Sequence, residues 1–135
     1  METLKNNIKL VSFIAPVVAD EDGEPTSSVI DTFESEAAHF DGALVRANAG
    51  TFGADLTDIT ITIQESDNAD GSSPSTARGG EAQALTAAGE LVFQVERSKR
   101  YLLALVVMTA SGTGDTAPLA ITGILHNWAA PLPLV

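Results

Sequence analysis

Apolar and polar residues alternate most regularly over Thr57 to Gln64, T-D-I-T-I-T-I-Q. Ile59, Ile61 and Ile63 fall on one face, and Asp58, Thr60, Thr62 and Gln64 on the other, which is the period-2 signature of a strand with one buried face. Two longer β-rich stretches, Lys99 to Ala110 and Ala120 to Trp128, flank S-G-T-G-D-T-A-P, whose glycines and proline break the strand and supply a turn. Their closeness in sequence predicts an antiparallel pair. Ile8 to Ile14, Ser28 to Phe33, Phe40 to Ala47 and Leu91 to Glu96 are shorter candidates, each bounded by Gly, Pro, Asp or Ser, which brings the expected number to about eight strands. A sustained 3.6-residue period is missing, and a short helix is predicted only over Gly80 to Ala88, around E-A-Q-A-L-T-A-A.

A helix-poor chain covers the apolar face of one sheet with another sheet, so this pattern predicts an all-β, jelly-roll-like antiparallel sandwich. With 135 residues, one domain is expected. Residues 1–12 read as an N-terminal arm and first strand, 13–128 as the sandwich, and 129–135 as an extended apolar tail. Two polar stretches interrupt the strands: Asp20 to Ser27, with Asp20, Glu21, Asp22 and Glu24, and Ser66 to Gly80, rich in Ser, Gly, Asp and Ala. Both are expected to be exposed, mobile loops.

Charge narrows the partners. The chain carries 18 acidic and 7 basic residues, a formal charge of -11, which repels phosphate backbones and anionic headgroups and argues against nucleic-acid and membrane partners. Met1 to Lys9 lacks the continuous apolar core of a secretory signal, and the longest apolar run, Tyr101 to Met108, is only strand-length. Synthesis in the cytoplasm is the expectation. The absence of cysteine removes disulfides and thiolate metal sites from consideration.

Motifs that carry chemistry fail at checkable positions. S-D-N-A-D-G, Ser66 to Gly71, resembles a calcium loop, but aligning Gly71 with the required glycine places Ser66 where the first Asp belongs and Ala77 where the bidentate Glu belongs. A local turn built on Asn68, Asp70 and Gly71 accounts for the same letters. Gly112, Gly114 and Ala117 give G-x-G-x-x-A, yet P-L-A-I-T-G-I-L follows, a strand where a dinucleotide site needs a helix. His39 and His126 are each isolated, with no second His at ligand spacing, and no G-x-S-x-G occurs. The acidic cluster from Asp20 to Glu24 reads as solvated charge. No catalytic residue, cofactor or metal site is predicted.

Apolar and basic residues in unusual places are the better candidates. W-A-A-P-L-P-L-V, Trp128 to Val135, cannot enter a sheet interior because of Pro131 and Pro133. An extended apolar segment of this kind packs on its own sandwich or on a neighbouring subunit. Arg97, Lys99 and Arg100 place three of the seven basic residues within four positions of an acidic chain, suited to pairing with the chain's own carboxylates or with an acidic partner. The candidate interface residues are therefore Lys5 and Lys9 on the arm, Arg97, Lys99, Arg100 and Tyr101 at the head of a strand, and Trp128, Leu132 and Leu134 on the tail.

Arg97 to Trp128 also carries R-S-K-R-Y-L-L-A-L-V-V-M-T-A-S-G, then T-A-P-L-A-I-T-G-I-L-H-N-W-A-A-P. Upstream lie V-I-D-T-F-E-S at Val29 to Ser35, a strand ending in N-A-G at Gly50, and I-T-I-Q-E-S-D-N at Ile61 to Asn68. In these letters, over roughly residues 28 to 131, the chain resembles small virion structural proteins of tailed bacteriophages, of the capsid decoration (cement) type. The resemblance implies a jelly-roll-like homotrimer on the capsid exterior that cements neighbouring copies of the major capsid protein, without catalytic residues. On that reading the shell contact falls on Met1 to Lys9, and the inter-subunit contact on the Tyr101 strand and the tail. A tail or head-completion component of the virion and a carbohydrate-binding sandwich are the rival expectations.

Overall fold

Every long strand of this chain has one apolar edge to its alternation, and that single feature dictates two sheets facing each other. The computed structural model describes residues 8–35 and 38–127. Sheet one consists of β1 (Ile8–Asp20), β5 (Gly42–Ala49), β9 (Gly89–Glu96) and β11 (Thr116–His126), in the order β1-β11-β5-β9. Sheet two consists of β2 (Ile30–Asp31), β6 (Leu56–Ser66), β7 (Ser75–Thr76), β8 (Gln83–Leu85) and β10 (Tyr101–Ala110), in the order β2-β10-β6-β7, with β8 also paired to β6. A two-stranded ribbon, β3 (Phe33–Ser35) with β4 (Ala38–His39), completes the eleven strands found among the described residues. All pairings are antiparallel.

The buried faces interlock by size. On β5 the inward positions are small, Ala43, Val45, Ala47 and Ala49, whereas β6 sends in Ile59, Ile61 and Ile63 from the opposite sheet. Phe13 and Phe93 add the largest inward groups of sheet one, and Leu102, Val106 and Met108 line the inner face of β10. Phe13 lies across Gly123 of β11, where a Cβ would stand 2.9 Å from the ring, so only glycine admits this ring.

Several expectations change. Thr57 to Gln64 is a strand, but β6 runs two residues further to Ser66 and carries Glu65 onto its buried face. The Lys99 and Ala120 stretches are strands, yet they do not pair: β10 pairs with β2 and β6, and β11 with β1 and β5. The S-G-T-G-D linker crosses between the sheets instead, because both strands have a fully apolar face that must enter the same core from opposite sides. The helix predicted over Gly80 to Ala88 is absent; this stretch holds β8, whose Ala84 faces Thr60 across the ladder. Alanine's helix propensity, below 1 kcal/mol per residue, yields to ladder pairing and the burial of Leu85. Ser66 to Gly80 is not simply an exposed loop: Ala77 is fully buried, its amide donates to the Ile63 carbonyl (3.0 Å), and the Ile63 amide donates to Gly80 (2.9 Å).

One edge of each sheet is protected. Beyond β2, the segment before it runs along β10 without forming a ladder, and Ser27 Oγ accepts from the Ala104 amide (3.0 Å) while the Glu24 carboxylate accepts from the Met108 amide (2.8 Å). On sheet one, β1 is interrupted by irregularities between Ser12 and Ile14 and between Ile14 and Val17, with Pro16 inside the second, devices that discourage indiscriminate edge pairing.

Candidate interaction surface

The predicted interface residues that fall within the described structure gather at one end of the sandwich. At this end β1 begins, β11 ends with His126 opposite Ile8, and the turn from β9 to β10 carries Arg97, Ser98, Lys99 and Arg100. Lys5, Trp128, Leu132 and Leu134 lie outside the described residues.

The turn is organised by a buried anion. Glu65, 5% exposed, accepts from the Ser98 amide (2.7 Å), the Ser98 hydroxyl (2.7 Å) and the Lys99 amide (3.1 Å). Three donors offset the desolvation of a carboxylate at this depth. Sequence reading ended the strand at Gln64 and passed over this residue. The signal lay in the period itself, since Glu65 continues the Ile59, Ile61, Ile63 face.

Around this anchor the basic side chains converge on one aromatic ring. Arg100 makes a two-pronged pair with Asp31 (both contacts 2.8 Å) and lies 4.5 Å from the Phe33 ring centroid and 5.3 Å from that of Tyr101. Arg97 donates through Nε to the Phe40 carbonyl and sits 5.2 Å from the Phe33 centroid, while His39 stacks on the same ring at 5.0 Å. The hydrogen bond from Arg100, followed by the Phe33 amide and the Arg100 charge, holds Asp31 below the usual carboxylate range in spite of partial desolvation. Lys9 pairs with Glu34 (2.9 Å) on the ribbon. Of the two options open for the basic cluster, internal pairing is realised by Arg100, and Lys99 makes no ion pair among the described residues.

Adjoining this end, the outer face of sheet one is apolar where a solvated face should be polar. Leu10, Ile124 and Leu44 lie side by side in register across β1, β11 and β5, with Ile8 two residues up β1 and Val92 diagonal to Leu44 on β9. Leu10 is 76% exposed, Ile8 64%, Val92 52% and Leu44 38%. None of these five was singled out from the sequence as an interface residue, because a strand's two faces look alike until the partner sheet is known.

The chemistry elsewhere is sparse. A recess of about 290 Å³ beside the irregularity in β1 is lined by Pro16, Val17, Asn48, Pro118 and Leu119 with neighbouring small residues, and no titratable side chain lines it. Asn68, Asp70 and Gly71 form the local turn expected of them: the Gly71 amide donates to the Asn68 carbonyl (2.9 Å), the Ser72 amide donates to the Asp70 carboxylate (3.0 Å), and Gly71 has φ of 78°. Gly112 and Gly114 lead into β11, a strand. Burial lowers the pKa of His126, partly opposed by the Asp41 charge, and 87 positions of sequence separate it from His39.

No family model matches the chain, and neither a curated protein nor a solved structure matches it.

Proposed function

We propose that the protein is a non-enzymatic structural module, a jelly-roll sandwich that binds copies of itself and the outer surface of a tailed-bacteriophage capsid, where it cements neighbouring major capsid subunits. The observation that carries the reading is the apolar row in which exposed Leu10 and Leu44 flank half-buried Ile124, beside exposed Ile8 and Val92, on an otherwise acidic molecule. A contiguous apolar patch on a sheet face is an association surface, and its place on a rigid sandwich suits a homotrimer in which each copy presents the same patch.

Two further features support the parts of this reading. Taken in chain order, β1, β2, β5, β6, β8, β9, β10 and β11 pair outermost with outermost: β1 with β11, β2 with β10, β5 with β9, β6 with β8. Alternate pairs fall in opposite sheets, as they do when one long antiparallel hairpin is rolled around a core, and this nesting supports the jelly-roll reading. The second feature is the distribution of charge along the strands. Lys9, Arg97, Lys99 and Arg100 share one end with Asp31, Glu34, Asp41, Glu65 and Glu96, whereas Asp20, Glu21, Asp22, Asp55 and Asp115 gather at the other, about 33 Å away by the length of β11. A molecule whose charge is balanced at one end and acidic at the other is oriented as it meets a charged shell, and many such contacts on one particle multiply weak affinities.

Cryo-electron microscopy of the purified particle tests the proposal. Repeated sandwich-sized density across the capsid exterior is the expected result. Density confined to a single ring at one vertex or to the tail would reassign the protein to a completion or tail role, and absence from the particle would overturn the virion reading altogether.

A further inference from the structure

At the end opposite the basic turn, three carboxylates from two distant parts of the chain converge. Asp20 closes β1, and a tight turn follows in which the Gly23 amide donates to the Asp20 carbonyl (3.1 Å) and the Asp22 amide to the Asp20 carboxylate (2.9 Å). Asp115 arrives from the linker into β11, brought there by the pairing of Asp20 with Thr116 and by the Glu21 amide, which donates to the Asp115 carbonyl (3.3 Å). One carboxylate oxygen from each of Asp20, Asp22 and Asp115 lies within 4.8 Å of the others.

Surface acidic clusters are common, and convergence alone points to no ligand. Asp115 distinguishes this one. It is only 5% exposed, its carboxylate reaches into the cluster, and it has no hydrogen-bond or ion-pair partner among the described residues. A carboxylate at that depth is stabilised by donors or by a cation. Glu65, equally buried at the far end, has three protein donors; the Asp115 carboxylate has none, and the narrow edge it keeps toward solvent faces the other two carboxylates. The ion pairs found among the described residues all lie elsewhere.

We infer that Asp20, Asp22 and Asp115 form a calcium site. An all-carboxylate donor set without nitrogen or sulfur selects a hard cation. Ligands carried on a surface turn, open to water, suit the irregular coordination of calcium better than the strict octahedron of magnesium, with water completing the shell. Such an ion ties the end of β1 to the start of β11. Because Glu24 of the same loop caps the Met108 amide of β10, it also links sheet one to the edge of sheet two. This role is independent of what the apolar face binds.

The test is titration of the full chain, stripped with EDTA, with calcium chloride at constant ionic strength, followed by calorimetry and thermal melting. One saturable site per chain and a rise in melting temperature are expected. Asp115→Asn, which keeps the shape of the side chain, and Asp22→Asn, at an exposed position, should each weaken binding at least tenfold, whereas Asp67→Asn, in a different loop, should leave it unchanged. Should Asp115→Asn fail to fold, Asp22→Asn carries the comparison. No saturable binding up to about 10 mM calcium, well above the weak-site range, overturns the inference; so does wild-type affinity in Asp22→Asn, or equal affinity for magnesium.

Discussion

Replacing Glu65 with alanine removes the acceptor that serves Ser98 and Lys99 in the β9 to β10 turn. Two backbone amides, of Ser98 and Lys99, and the Ser98 hydroxyl lose their partner. Because Ser98 is exposed and Lys99 half-buried, water reaches part of the turn, and each amide is assigned the lower part of the unsatisfied-donor range, about 1–2 kcal/mol. The hydroxyl rotates to solvent at little cost. The expected loss is therefore about 2–4 kcal/mol out of a domain stability of about 5–15 kcal/mol. With a urea slope of about 1–3 kcal/mol/M, the unfolding midpoint moves down by about 0.7–4 M. Glu65→Gln keeps one acceptor oxygen and should lose only about 1–2 kcal/mol, and Ser98→Ala about 0.5–1.5 kcal/mol. Urea denaturation followed by far-ultraviolet circular dichroism reads all three. A loss below about 1 kcal/mol for Glu65→Ala would refute the reasoning, since it would mean that the turn holds its geometry without the buried anion.

Acidification should destabilise the fold in two windows. The folded state keeps His126 neutral by burial, below its ordinary value of 6.5, so the stability it contributes is complete above that value and declines as pH drops beneath it; His126→Gln should flatten this part of a melting-temperature profile. Asp31 is held below 3.8 by Arg100, so its contribution persists to lower pH and is lost as pH falls through the lowered folded value; Asp31→Asn should remove that limb. Gly79→Ala should cost at least about 3 kcal/mol, because φ is 87° and a Cβ would run into the Gln94 carbonyl, whereas Gly23→Ala meets nothing within 4 Å and should stay within about 0.5 kcal/mol by chemical denaturation. Leu10→Glu combined with Val92→Glu should leave stability within about 0.5 kcal/mol and abolish self-association in sedimentation velocity; a wild-type chain that sediments as a monomer at every concentration would remove the homotrimer from the proposal.

The basic turn and the apolar face were legible to different degrees. Arg97, Lys99 and Arg100 stood out by rarity in an acidic chain, and they do share one end of the molecule with Lys9. Their anchoring was not legible, because Phe33, Asp31 and Glu65 come from strands that approach the turn only after folding. The same limit applies to the acidic cluster, which reads as ordinary solvated charge until β1 pairs with β11 and brings Asp115 to Asp20 from 95 positions away.

Local sequence by itself determined the long central strands, and for β6 which face is buried, since the alternation of Ile59, Ile61 and Ile63 is written in adjacent residues and depends only on the two-residue period of an extended chain. It determined the all-β class for the same reason. Only the tertiary structure decided that β10 and β11 part company into opposite sheets, that Gly80 to Ala88 yields its helix propensity to a ladder, and that Glu65 points inward. These outcomes depend on sheet pairing and on burial shared between distant strands, quantities of several kcal/mol that outweigh local preferences of a few tenths.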